Sequence, residues 1–237
     1  MGRQAAARLA ERSERLAIAA SARPYFALAA ILAANTILAG IFVVAGELLF
    51  SDPAELFREL MPGTWLSFLE LLFVAAIASA IYRHGGGSGR MGFDNFWGLS
   101  AAVFALLAFV EITQINRFIS DGLSSLGTLA PEGFIDLDGF LLSVLLAVVA
   151  GALLFYVRDL LGHPRAMALM AFGVLIGATS QALDATLATT SAEFVAEESS
   201  KLAAEAFVIG GYLVVLQSVV RASAAAGEPG PSPARPV

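Results

Sequence analysis

Six stretches of this chain are long and apolar enough to cross a bilayer, and that decides the solvent in which it folds. They cover 24–50, 65–82, 96–115, 139–156, 166–183 and 202–220. Each is close to the roughly 20 residues that a hydrocarbon core of about 30 Å requires at 1.5 Å of helix rise per residue. Only closed hydrogen-bonding structures span lipid, and runs of this length are helical rather than strand-like, so the expected class is an all-α integral membrane bundle of six transmembrane helices. Composition supports this: 58% of the 237 residues are hydrophobic and 14% charged, against about 25% charged in soluble domains.

The charges between the stretches alternate by side. Arg3, Arg8, Arg12, Arg15 and Arg23 precede the first stretch, Arg83 and Arg90 follow the second, Arg158 and Arg165 the fourth, and Arg221 and Arg235 the sixth. The opposite side keeps only Arg58, Arg117 and Lys201, whereas ten acids, among them Asp52, Glu132 and Glu193, fall there. The positive-inside rule then places both termini in the cytoplasm of a cell whose inner (plasma) membrane holds the protein. The domain reading is an amphipathic cytoplasmic segment over 1–23, a six-helix transmembrane domain over 24–221, and a disordered cytoplasmic tail over 222–237, which is rich in proline.

The segment before residue 24 reads as a signal anchor, because its arginines are scattered and the apolar run after it lacks a small-residue cleavage site. From Gln4 to Ala20 it should form a short surface helix that acts as an electrostatic anchor or meets lipid or a partner. The chain has no cysteine and two histidines, His84 and His163, which excludes thiolate metal sites and cysteine nucleophiles. Both histidines fall in cytoplasmic connections, so neither a Ser-His-Asp set nor a histidine-held zinc can form with the outer acids. The Gly85–Gly86–Gly87 run lacks the lysine and strand context of a phosphate cradle. No feature suggests nucleic-acid binding.

Inside the spans the polar pattern is one-sided. Glu47, Glu70, Glu111, Asp184 and Glu205 all lie near outer ends, on five different spans. Carboxylates in such places seldom face lipid, so they should turn into the bundle. Helical spacing gathers more residues around them: Glu198, Lys201 and Glu205 at i, i+3 and i+7, with Tyr212 continuing the face; Ser180 with Asp184; Gln114 with Glu111; and Ser67 with Glu70. The expected site is an outward-opening pocket holding Glu70, Glu111, Asp184, Glu198 and Glu205, supported by Lys201, Gln114, Ser180 and Tyr212. So many acids with one lysine must share protons or bind a cation, and oxygen ligands alone suit Ca²⁺, Mg²⁺ or Mn²⁺. In the alternative arrangement each acid pairs with Lys201 or Arg117. Asn35 and Thr36, near the middle of the first span, are expected to hydrogen-bond between helices. Close packing is expected at the small residues Ser143, Ala147 and Gly151, at Gly173 and Gly177, and at Gly210 and Gly211.

The third span ends Phe109-Val110-Glu111-Ile112-Thr113-Gln114-Ile115-Asn116-Arg117, and the last opens Glu197-Glu198-Ser199-Ser200-Lys201 with Glu205 following. This resembles a loose group of uncharacterised bacterial multipass membrane proteins. In these an acidic pair and then a His-Glu pair end one helix, and a Glu-Glu pair opens the last. Here Val110 stands in place of the first acid, and Asn116 and Arg117 in place of His and Glu. The resemblance therefore implies a bacterial multipass protein without that group's metal ligands.

Three function classes follow: a noncatalytic accessory or sensor protein whose outer acids bind a cation or protons, a small cation- or proton-coupled transporter, and a membrane-embedded hydrolase. No catalytic residue is assigned, and the balance is against an enzyme. Besides the lipid bilayer, a membrane-protein partner is expected at the outer connection 116–138, whose alternating apolar residues suit either a lid or a docking surface.

Overall fold

A computed structural model of the protein describes residues 2–57, 61–85, 91–113, 151, 160–187 and 190–227. Among these the regular structure is helical: α1 (Gly2–Ser21), α2 (Pro24–Phe50), a 3₁₀ turn (Glu55–Phe57), α3 (Pro62–Gly85), α4 (Met91–Thr113), α5 (Pro164–Leu187) and α6 (Ser191–Gly227). Four of them, α2, α3, α4 and α6, carry windows long and apolar enough to cross a membrane. The apolar stretches at 24–50, 65–82, 166–183 and 202–220 lie within α2, α3, α5 and α6, and the described part of 96–115 within α4. The stretch at 139–156, apart from Gly151, and the connection 116–138 lie outside the described residues, as do Ser143 and Ala147.

Local chemistry sets the helix ends. Proline occupies the first turn of α2, where its missing N–H costs nothing. At the other end Ser51 takes the left-handed conformation (φ 57°), and the Asp52 N–H reaches back to the Gly46 carbonyl at 3.4 Å. The returning chain crosses directly over Gly46, where a Cβ would lie 2.6 Å from the Asp52 carbonyl, so glycine is required. The turn then seats Phe57 edge-to-face on Phe42 at 5.6 Å. The last helix is longer than its apolar stretch. It begins eleven residues before 202 and runs through Gly227, because the sequence Ala-Ser-Ala-Ala-Ala after Arg221 favours helix, so 222–227 are helical and not part of the disordered tail expected over 222–237.

Helix α6 is the hub, packed by α5, α3, α2 and α1, while α4 lies against α3. Small residues let α5 approach closely. A Cβ on Gly173 would meet the Ala204 carbonyl at 2.8 Å, one on Gly177 the Ala204 Cβ at 3.6 Å, and one on Gly211 the Met170 side chain at 2.6 Å. Gly210 leaves room in the same way for Leu28 of α2. Trp97, Ile77, Ile81, Leu213 and Leu216 form the fully buried centre. The outer surface of α2 is the opposite: Ile37, Ile41, Val44 and Leu48 recur at helical spacing, and Leu48 is 78% exposed. An exposed apolar face of that extent is compatible with a membrane protein.

α1 turns at Ala22 and Arg23 and docks on the end of the bundle where α3 and α6 finish. Ala17 is fully buried, Glu14 pairs with Arg83 at 2.7 Å and with His84 at 3.4 Å, and Gln217 donates to the Ala22 carbonyl. Replacing Gly173 by Ala should cost about 1–3 kcal/mol, since the added methyl meets backbone that cannot yield. Gly40→Ala, where a Cβ meets nothing within 4 Å, should leave thermal stability in detergent unchanged or raised. Equal melting temperatures for the two variants would contradict the α5–α6 packing.

Candidate functional site

Ser67 and Glu70 share one face of α3 through their i, i+3 spacing, and that face meets Glu205 of α6. The Ser67 hydroxyl donates to Glu205 Oε1 at 2.7 Å. Glu70 is 7% exposed and Ser67 fully buried. Asn35 of α2 closes the third side: its amide donates to the Leu202 carbonyl at 3.2 Å and also hydrogen-bonds Glu70. Glu70 Oε2 and Glu205 Oε2 are buried, and neither has a hydrogen-bond partner among the described residues. The two carboxyl groups are close enough to act on each other electrostatically.

One helical turn away, toward the start of α6, lies the cation. Lys201 Nζ is 2.5 Å from Glu111 Oε1 of α4 and 3.9 Å from Glu198 Oε2. This part is more open, with the Lys201 side chain 29% exposed. Lys201 also acts electrostatically on Glu205. The arrangement is therefore a chain of charged groups, Glu111 and Glu198 on Lys201, then Glu205, then Glu70, running from a half-open end into the bundle.

Five of the sequence-derived site residues thus come together: Glu70, Glu111, Glu198, Lys201 and Glu205. They do not form one undivided acidic pocket, because Lys201 is paired with Glu111 and Glu198, while Glu205 lies between the influence of Lys201 and that of Glu70. Two others lie elsewhere. The Tyr212 hydroxyl bonds Ser100 Oγ at 3.2 Å, and its ring packs edge-to-face on Trp97 and Phe104; it sits about 10 Å along α6 from Glu205 at 1.5 Å per residue. The Ser180 hydroxyl donates to the Glu197 carbonyl at 3.0 Å and so ties α5 to α6. Gln114 and the side chain of Asp184 lie outside the described residues. Thr36 bonds the Leu32 carbonyl of its own helix rather than a neighbour, since a threonine in a helix reaches the carbonyl four residues back. Asn35 is the residue whose part in the site goes beyond its expected role. Its mid-span amide pointed to helix contact, yet nothing in sequence said that α2 crosses beside Glu70.

Asn35 is eleven residues, about 16 Å, from the start of α2, and Glu205 about 21 Å along α6 from Ser191. Among the described residues no group of three or more His, Asp or Glu side chains could hold a metal ion. Comparison with known protein families, curated proteins and solved structures gives no match.

A second titratable group lies at the opposite end. His163 precedes α5, and its Nδ1 is 3.4 Å from the Ser218 hydroxyl, which donates to the Val215 carbonyl. Burial lowers the imidazole below its ordinary 6.5. The folded protein therefore resists a proton that the unfolded chain accepts. Its contribution is fully present above about pH 6.5 and is lost as pH falls through the depressed folded value. In proton NMR, where only His84 and His163 contribute imidazole signals, His163 should titrate below 6.5. His163→Gln should remove that share of the acid sensitivity. Titration at or above 6.5 would contradict the burial.

Proposed function

We propose that this is a noncatalytic multipass protein of the inner membrane, an accessory or sensor protein whose outward-facing acidic site binds protons through the Glu70–Glu205 pair. Two carboxyl groups brought together from α3 and α6, each with one buried oxygen that lacks a donor among the described residues, are the observation that carries the reading. A proton placed on one carboxyl removes the repulsion between two like charges in a medium of low dielectric. The groups facing the pair are Lys201 on α6, Ser67 on α3 and Asn35 on α2, with Glu111 of α4 and Glu198 beyond the lysine. A proton suits the pair better than a divalent cation, because Ca²⁺ takes six to eight oxygens and Lys201 engages two of the acids. With the arginine-rich ends in the cytoplasm, the site opens to the outer side, where the connection 116–138 offers a surface for a membrane-protein partner. A proton-coupled transporter is the second reading, favoured by the contact of Glu70 with Asn35, which lies near the middle of α2.

Purified protein in detergent should become more heat-stable between about pH 8 and about pH 5.5, by a few degrees, since about 1 kcal/mol moves the melting temperature of a chain this long by roughly 2–4 °C. Glu70→Gln with Glu205→Gln should remove that gain. No response once His163→Gln has removed the opposing histidine effect, or a double variant that responds like its parent, would reject the proton site. Stabilisation by Ca²⁺, Mg²⁺ or Mn²⁺ at neutral pH, lost in the double variant, would replace the proton by a cation. Collapse of a pH gradient across liposomes holding the wild type but not the double variant would favour the transporter.

A further inference from the structure

α1 is two-faced. Glu14, Ala17 and Ser21, at i, i+3 and i+7, face the bundle: Glu14 is spent on Arg83 and His84, and Ala17 and Ser21 are buried. Arg8, Arg12 and Arg15, at i, i+4 and i+7, form an exposed stripe on the other side. Glu11 is the acid that accompanies them, paired to Arg15 at 2.5 Å. Arg23 extends the exposed positive charge to the turn into α2. Beside it stand Leu16 at 64%, Tyr25 at 51% and Phe26 at 72% exposed.

Two features identify what this face meets. Only Ala22 and Arg23 separate α1 from the first lipid-facing helix, so α1 is held at the depth where the hydrocarbon gives way to headgroups. The face combines guanidinium groups, which match phosphate oxygens in a bidentate fork, with an aromatic and aliphatic rim of the kind that settles at the membrane interface. The only acid turned away from the stripe, Glu14, is held by its ion pairs, so the exposed side keeps a positive excess. We propose that the outward stripe of α1, Arg8, Arg12 and Arg15 with Leu16, binds the anionic phospholipid headgroups of the leaflet at the end of the bundle where α2 begins. This does not depend on the carboxyl pair.

The test uses the full chain, which has no native cysteine, labelled with a nitroxide at Leu16→Cys in lipid nanodiscs. In discs containing roughly a third phosphatidylglycerol, collisions of the label with a water-soluble nickel chelate should fall at least about threefold relative to phosphatidylcholine alone, since each basic residue near such a surface contributes about fivefold in partitioning. Added salt should shrink the difference. Arg8, Arg12 and Arg15 all changed to Gln should abolish it, and the same three changed to Lys should keep most of it. Unchanged melting of the Gln variant in phosphatidylcholine discs will show that α1 stays docked. Equal collision rates in the two discs would overturn the proposal, as would a lipid effect that persists in the Gln variant. Arginine-dependent retention of an oligonucleotide without any lipid effect would assign the face to nucleic acid instead, and likewise overturn it.

Discussion

A carboxylate carried into a low-dielectric bundle must be met there by donors or by a cation, and this requirement ties the described helices together. Glu205 on α6 draws a hydroxyl from α3, Glu111 on α4 draws the Lys201 ammonium, and Asn35 on α2 spends its amide on an α6 carbonyl. Three neighbours are thereby referred to one helix at similar height. Apolar contact alone would not choose that arrangement, because between helices in lipid it carries little preference for one rotation over another. The polar groups supply the direction. The two carboxylate oxygens left without donors among the described residues mark where the requirement is not met, and a functional role is sought there for that reason.

Close approach is the complementary condition. Short side chains reach across α5 and α6 only because glycine lets the backbones meet at Gly173 and Gly211, and the same contact sets the Ser180 hydroxyl against the Glu197 carbonyl. Deeper along α6 the packing is aromatic, with Tyr212 between Trp97 and Phe104. Ser100 accepts from the Tyr212 hydroxyl within that layer. The two ends of the bundle differ in kind: one carries the carboxyl pair and its lysine, the other the docked α1 helix with its outward arginines.

Much of this was legible in the chain itself. The apolar runs at 24–50, 65–82 and 202–220 lie within real helices, the glycines Gly173, Gly177 and Gly211 do sit in the α5–α6 contact, and Glu111 and Glu198 do pair with Lys201, whereas Glu47, expected to turn into the bundle, is exposed. Other readings failed for local reasons. Helical spacing puts Tyr212 on the same face as Glu205, but spacing says nothing about depth, and two turns of helix carry the phenol into the aromatic layer. Ser180 has the right spacing to Asp184, yet its hydroxyl is consumed by a backbone carbonyl. Thr36 satisfies itself within its own helix, as a residue with a short β-branched side chain can.

What the sequence determined by itself was the helical class and the presence of helices long and apolar enough to cross a membrane, because these rest on composition and on periods of a few residues. The partition of the acids was decided only by the tertiary structure. Whether Glu70 meets Lys201 or Glu205 depends on the rotation and height of α3 against α6, and these are fixed by contacts between residues more than a hundred positions apart, such as Ser67 with Glu205 and Asn35 with Leu202. No local pattern encodes such a pairing, since many rotations of an apolar helix bury similar area, and only the polar groups and glycines of its neighbours tell them apart.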